Sequence, residues 1–551
     1  MSPWERFLGL IELERKDVLQ VAYYAIFSGL VTLSLPLGIQ AIINLIQGAQ
    51  VTTSWILLVV LVTIGVAFSG ILQLMQMRII ETIQQRIFTR ASFEFTYRFP
   101  KMKMEELRKY YPPELANRFF DTLTIQKGLA KILVDVPAAI LQIIFALILL
   151  AFYHPFFIVF GFLLLGLSYM ILKFTAKKGM ETSLEESKNK YKVAHWIQEV
   201  ARAVSSFKLS GLTNLSLTKN DILVSKYLKA RESHFKVLVI QFIQMIGFKV
   251  IVTASLLTIG GALVLSQRMN IGQFVAAEII ILLVINSVEK LILSLESFYD
   301  VLTSLEKLGQ VVDKDLESQD GETPLITDKF ELKLKDVIYR VPDREKNILT
   351  DIDLIITEKS KLLVKGASGS GKSSLLRIIA GIIQPTKGTV HLNEFLRENI
   401  NLNYYRSHVG LSLSEELPFE GTFRENIIFN NPSITDDEIY KVIDHVGLRD
   451  FVKSLPKGLN TILYPEGKKI SYTISKKIIL ARAIIKKPKL LILEDSLDQF
   501  EPKEVNSIIN YLTDPGHNWA LIVVSRNKQF EASCNQIIEL EDGKIINKDH
   551  A

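Results

Sequence analysis

The first 300 residues hold six apolar stretches, near 18–46, 54–76, 132–153, 155–175, 236–265 and 271–297. Each is long enough to cross a hydrocarbon core of about 30 Å, which takes roughly 20 residues of helix. Inside lipid every backbone polar group must be bonded within the protein, so runs of this length specify membrane helices. From about residue 325 onward the pattern changes to short Val/Ile/Leu runs alternating with amphipathic stretches and Gly-rich turns, the signature of an α/β domain. The expected architecture is multi-domain. An all-α six-helix transmembrane domain spans 1–312, a linker spans 313–328 with its polar run KDLESQDGET at 314–323, and an α/β domain spans 329–551.

Loop charges orient the spans. Residues 48–54 and 153–155 carry no Lys or Arg, and 266–270 only Arg268, whereas 77–131 and 176–235 are rich in both. By the positive-inside rule the short loops face outward, and the long connections and both termini are cytoplasmic, at a plasma (inner) membrane. The long connections read as helix continuing out of the bilayer, over 78–97 and 185–205, with little Gly or Pro to interrupt them. The first span is preceded by Glu12, Glu14, Arg15, Lys16 and Asp17 and followed at once by another span, so it is read as a permanent helix and not a cleaved signal. A composition of 48% hydrophobic and 22% charged residues agrees with embedding in a bilayer. The net charge of +6 is dispersed along the chain, which fits basic cytoplasmic segments and not a nucleic-acid surface. The single cysteine, Cys534, excludes a framework of intramolecular disulfides.

The chemistry is concentrated in one loop. A strand-like KLLV at 361–364 leads into Gly366, Ala367, Ser368, Gly369, Ser370, Gly371, Lys372 and Ser373, and a helical stretch opens at Ser374. This is G-x-x-x-x-G-K-[ST] in the strand, loop and helix context it requires. Its glycines let backbone N–H groups turn toward phosphate oxygens, and the following helix N-terminus adds its dipole. Lys372 is assigned to the β- and γ-phosphates of ATP and Ser373 to Mg²⁺. Downstream, the buried-strand pattern at 490–493 ends in Glu494 and Asp495. One acid at such a strand end can hold Mg²⁺ through water, and its neighbour can polarise the attacking water.

With these motifs in place the whole chain resembles the ATP-binding cassette exporters, in the form of a half-transporter with one P-loop nucleotide-binding domain. Val409–Gly410, 419–422 and 424–427 are similar to the segment around the family's Q-loop, 455–461 and 480–483 to the stretches flanking its signature motif, Glu501–Pro502 to its D-loop, and 540–544 to its closing turn. In the membrane half, 113–128 (PELANRFFDTLTIQKG) and 270–275 (NIGQFV) resemble the type I protein-secretion and peptide-export branch. Only a short polar segment precedes the first span, so a processing peptidase is not expected. The resemblance implies a homodimer or a heterodimer with a second half-transporter, two ATP molecules sandwiched between nucleotide domains, and coupling segments near 113–122 and 206–216. A membrane-fusion adaptor is a further partner it suggests, and a peptide or protein is the favoured exported substrate.

The same alignment exposes departures. The adenine-stacking position is Val341, with Tyr339 two residues earlier on the same strand face as a partial substitute. Ser414 stands at the Q-loop glutamine, and Ile470–Ile474 (ISYTI) at the signature, where Ser471 survives but both glycines are gone. Glu494 and Asp495 invert the usual Asp-Glu order, so the general-base position carries the shorter acid, and Ser525 replaces the switch histidine. Asp495, Glu494, Ser525 and Ser414 are thus the candidate catalytic set, with ATP binding expected and hydrolysis far below that of a competent exporter. The alternative is a non-catalytic ATP-binding subunit that regulates or scaffolds a transport complex. Within the spans, Lys249, Glu278, Asn286 and Glu289 are costly in hydrocarbon. Counting helical rise favours a Lys249–Glu289 pair, with Gln241 and Gln244 nearby pointing to a polar cavity.

Overall fold

The computed structural model describes residues 2–47, 53–108, 110–153, 156–326, 329–342, 345–497 and 499–550. The chain divides into two compact units, one of 1–102 and 107–315, the other of 103–106 and 316–551.

The first unit is helical throughout. Its long helices are Arg15–Gln47, Thr53–Arg98, Asp121–Tyr153, Phe156–Arg202, Leu215–Ser255 and Ile271–Val312. Among the described residues five helical stretches are apolar and long enough to cross a membrane: Arg15–Ile46, Thr53–Lys101, Pro112–Phe152, Leu215–Leu265 and Ile271–Val312. The stretch read as the fourth span, 155–175, begins outside the described residues and continues as the first half of Phe156–Arg202. The 47 residues of that helix would measure about 70 Å, more than twice a hydrocarbon core. The continuation read over 78–97 is helix throughout, and that over 185–205 is helix to Arg202, with a break at Ala203 before the short helix Val204–Leu209. Carboxylates at the start of the first long helix fasten it to the second: Arg86 bonds Glu14 at 3.1 Å as well as Asp17, and Arg90 bonds Glu14 at 3.0 Å.

The polar residues inside the spans divide into two kinds. Lys249 Nζ donates to Glu289 Oε2 at 2.6 Å, the pairing that helical rise favours. Gln241, by contrast, is 2% exposed and donates to Thr175 Oγ1 at 2.8 Å and to Tyr299 OH at 3.0 Å. Its side chain is tied into a packing contact, and the residue also borders a mainly apolar cavity of about 350 Å³ that includes Arg231 and Glu296. The polar cost of Gln241 is met by side chains on two neighbouring helices, which a single sequence does not display.

The second unit is built on a six-stranded sheet in the order Lys544–His550, Gln536–Glu541, Lys361–Gly366, Ala520–Val524, Leu490–Glu494, Val409–Ser412. All neighbours are parallel except the edge hairpin Gln536–Glu541 with Lys544–His550. Leu490–Glu494 and Ala520–Val524 are buried at every position, which explains their continuous apolar sequence, because a parallel strand covered on both faces has no polar side. A second, antiparallel sheet in the order Leu349–Thr357, Glu331–Tyr339, Lys387–Leu392, Phe395–Leu396 shares a core with one face of the first.

The segment read as a linker is not free. Arg406 clamps Glu317 through two bonds of 2.6 and 2.7 Å, Asn403 Nδ2 reaches Gln319 Oε1 at 2.8 Å, and Tyr404 OH donates to the carbonyl of Pro324. A Cβ on Gly321, at φ +141, would lie 2.5 Å from Asn401 N, so this position has to be glycine. Low hydrophobicity made 314–323 look like a flexible spacer, but polar side chains from 397–406 pin it as a strap.

Candidate nucleotide site

Four parallel strands end side by side, with Val524 paired to Glu494, Val523 to Leu363, and Ser412 to Leu493. The segments that leave these carboxyl ends build the site, as in other open parallel sheets. From Lys361–Gly366 comes the phosphate loop, closed by the helix Lys372–Ile379. From Val409–Ser412 comes Ser414, from Leu490–Glu494 come Glu494 and Asp495, and from Ala520–Val524 come Ser525 and Arg526.

The loop's glycines are required by space. Gly366 has φ +141, and a Cβ there would sit 2.2 Å from Leu540 O; Gly371 has φ +104, and its Cβ would meet Ile348 O at 2.8 Å. Both positions exclude any side chain. Lys372 Nζ lies along the loop, 3.0 Å from Gly366 O and 2.7 Å from Ala367 O. Ser373 Oγ donates to Glu494 Oε1, while Glu494 Oε2 faces the Ser414 amide at 3.5 Å and its hydroxyl at 3.3 Å. Glu494 is 4% exposed, so these hydroxyl and amide donors are what keep a buried carboxylate satisfied.

A cavity of about 550 Å³ collects Gly366, Ser368, Gly369, Gly371, Lys372, Ser373, Ser374, Ser414, Glu494, Asp495 and Ser525. Eleven of the residues singled out, spread from Gly366 to Ser525, thus line one space. Ser370 lies beneath it, buried, with its hydroxyl 3.5 Å from Lys372 Nζ. Ile348, Lys365 and Arg526 share the wall and were not singled out. Arg526 was legible, as a basic residue directly after Ser525 at a strand end. Asp495 occupies the left-handed region at φ +46, a conformation that aspartate adopts more readily than longer side chains. Ser525 is buried and its hydroxyl accepts from Asn527 N at 3.1 Å.

Three positions fall elsewhere. Tyr339 is 3% exposed within the core of the antiparallel sheet, and Val341 packs against the same core. The Tyr339 ring is therefore not available as a stacking platform, because the alternation that placed it on the same face as Val341 turned that face inward. Ser471 is exposed and caps the helix Tyr472–Ile485 by accepting from Ile474 N at 3.2 Å. Five residues on, Lys476 is fully buried and donates to the carbonyls of Leu413 at 3.3 Å, Ser414 and Glu416 at 2.9 Å. Burial pushes its ammonium below the usual lysine range, against the pull of nearby glutamates. Nothing in the helical run TISKKIILARAII sets Lys476 apart from its basic neighbours Lys477 and Arg482.

Two family models match this chain: the ABC transporter transmembrane region over 21–288 and the ABC transporter nucleotide-binding model over 349–497. The chain belongs to the ABC exporters. It is a half-transporter of that family, a multi-pass membrane protein with a helical transmembrane domain followed by an α/β ATP-binding domain. The leukotoxin export ATP-binding protein LtxB of Aggregatibacter actinomycetemcomitans is 26% identical over 315 residues, 57% of this chain and 45% of that protein. The alpha-hemolysin translocation ATP-binding protein HlyB of Escherichia coli O157:H7 is 26% identical over 305 residues, 55% of this chain and 43% of its own length. The matches thus span less than half of these relatives. A bacterial Atm1-family ABC exporter solved with ATP bound shares the fold, with a TM-score of 0.86 and 15% identity over 97% of this chain and 95% of that one.

Proposed function

We propose that this half-transporter works as a dimer in which ATP binding closes the nucleotide domains and drives export of a peptide or protein, with slow hydrolysis or with hydrolysis supplied by a partner subunit. The carrying observation is the contrast inside one cavity. Lys372, Ser373 and Glu494 have the positions and donors of a phosphate and metal site, while Ser414, Asp495 and Ser525 opposite are short side chains. A hydroxyl and a carboxylate in contact beside a phosphate loop are hard oxygen donors that suit Mg²⁺, which takes its other ligands from phosphates and water. Ser373 and Glu494 would hold that ion, which neutralises phosphate charge when bound. Asp495 would orient water from a carboxylate one methylene short of a glutamate, and a misplacement of about 1 Å can cost roughly 10²-fold in rate.

Similarity to proteins named for toxin export supports a polypeptide substrate. Exposed Leu209 and Leu212, at 87% and 104%, give the 206–216 tip an apolar surface suited to a nucleotide domain, and the loop charges support cytoplasmic termini. Ser471, exposed at the start of its helix, is suited to reach a second subunit's nucleotide.

The test is ATP turnover by the purified chain in lipid, alone, beside Lys372→Ala and Asp495→Asn. Slow turnover abolished by both variants supports a homodimeric exporter. Binding without turnover would mean that the chain needs a catalytic partner subunit or serves as the second reading has it, as a regulatory or scaffolding subunit. Turnover at an ordinary rate of roughly 1 to 10 per second would refute slow hydrolysis.

A further inference from the structure

A second cavity lies wholly within the membrane unit. The segment around 110–118 and the helices Phe156–Arg202, Leu215–Ser255 and Ile271–Val312 enclose about 710 Å³, a volume typical of small-molecule sites. Five cations line it: Arg118, Lys188, Lys192, Lys219 and Lys307. Its two carboxylates are already engaged. Glu114 lies 3.3 Å from Arg118 Nη2 and 3.5 Å from His195 Nδ1, and Glu199 bonds Arg202 at 2.7 Å.

Arg118 is the decisive residue. Its side chain is 7% exposed, yet Nε and Nη1 have no hydrogen-bond partner among the described residues. Its guanidinium stands 4.4 Å from the centre of the Tyr191 ring, and Lys307 Nζ stands 5.4 Å from the same centre. The ring is itself fixed, because Tyr191 OH donates to Asp121. A buried guanidinium held by one carboxylate, with two further donors unbonded, is stabilised by more negative charge beside it. The planar fork of arginine matches phosphate; Lys188 also faces Glu185 at 3.7 Å and Asp121 lies near Arg118 and Lys307, yet five cations converge on one space whose two lining carboxylates are engaged, a surplus that a phosphate chain would offset.

We infer that this cavity binds a compact polyanion carrying a phosphate chain, either free or as the tail of a nucleotide. Neither the phosphate loop nor any residue of the ATP-binding domain takes part. Such a ligand would tie together the helices that form the walls, so its occupancy would stiffen the stalk region as a unit.

The experiment uses the full chain carrying Lys372→Ala, which weakens the phosphate loop by about a hundredfold, in phosphatidylcholine nanodiscs titrated calorimetrically with inorganic triphosphate and, separately, with ATP, and only binding that the cavity variants reduce is assigned to the cavity. Triphosphate is expected to bind, and Arg118→Gln to weaken it by about ten- to hundredfold, the worth of charge-assisted hydrogen bonds. The double variant Lys192→Gln/Lys219→Gln alters exposed side chains that do not hold the fold, and it should weaken binding less while flattening its salt dependence. Equal affinity for ATP and triphosphate means that the chain of phosphates alone is read, and tighter ATP binding means that the nucleoside is read as well; both sustain the site. No triphosphate binding to the Lys372→Ala chain, or binding unchanged in both cavity variants, overturns it. If Arg118→Gln does not fold, the double variant decides.

Discussion

The two walls of the nucleotide cavity are made differently. The phosphate-loop wall is fixed by backbone: Gly366 and Gly371 adopt positive φ where a Cβ would strike Leu540 and Ile348 carbonyls, and Ser373 meets Glu494 across the strand ends. The rest of the lining depends on side-chain reach, and there Ser414, Asp495 and Ser525 are all short side chains. A wall set by backbone geometry tolerates almost no substitution without losing its shape, whereas a wall set by reach can change length and leave the fold intact. Binding and turnover can therefore separate in this chain.

The largest effect that would break the comparison lies on the loop wall. Lys372→Ala should weaken ATP binding by about a hundredfold, because charge-assisted contacts to phosphate cannot be replaced by the loop amides alone; a fluorescent-nucleotide titration checks it. On the facing wall, Asp495→Glu lengthens the acid and, if reach alone limits chemistry, should raise single-turnover hydrolysis by up to about a hundredfold without changing affinity. The left-handed backbone at Asp495 opposes that gain, since glutamate at φ +46 costs about 1 kcal/mol more than at negative φ. A rise well below the full amount, restored by pairing with Ser525→His, would show that reach is missing at two positions and not one.

What could be read from sequence follows the same division. The loop, the strand leading into it and the acids at 494–495 were legible because each obeys a local rule: a glycine where φ is positive, a run of apolar residues where a strand is buried on both faces, an acid where that strand ends. The Lys249–Glu289 pair was legible because helical rise alone brings the two to one depth. Contacts between elements distant in sequence were not. Tyr339 was assigned to an accessible face, yet it is packed into the core that the two sheets share. The strap at 317–324 reads as a spacer until Asn403 and Arg406 arrive from 84 and 89 residues away. Lys476 looks like a solvated helix residue until its three carbonyl partners are in place.

Lys476 also gives the next test, of intermediate size. Lys476→Met keeps volume but leaves the Leu413, Ser414 and Glu416 carbonyls without their donor. The expected loss is about 2 kcal/mol, which lowers the melting temperature by about 4–8 °C for a domain of this size. Because Ser414 faces Glu494, loosening this segment should alter the Mg²⁺ dependence of nucleotide binding as well as stability. A variant that melts earlier yet keeps the metal dependence of the parent would make the lysine a packing element only and confine the facing wall to reach alone.

The smallest effect concerns Cys534, and it sharpens the comparison by marking what lies outside both walls. The residue is 4% exposed in the core beneath the parallel sheet, and burial pushes its thiol up to about 12. A raised pKa disfavours the thiolate, so the thiol stays neutral below that value in the folded chain, whereas the unfolded chain ionises near the ordinary thiol range. At pH 8 a thiol reagent should therefore label the native chain slowly and the urea-unfolded chain fast, since only the thiolate attacks. Burial predicts equal slowness with and without nucleotide, because no segment of the cavity has to move to protect a residue already in the core. Labelling that slowed markedly on adding ATP would instead mean that the sheet beneath the site opens in the free chain, and that the backbone wall is held by its ligand as much as by its glycines.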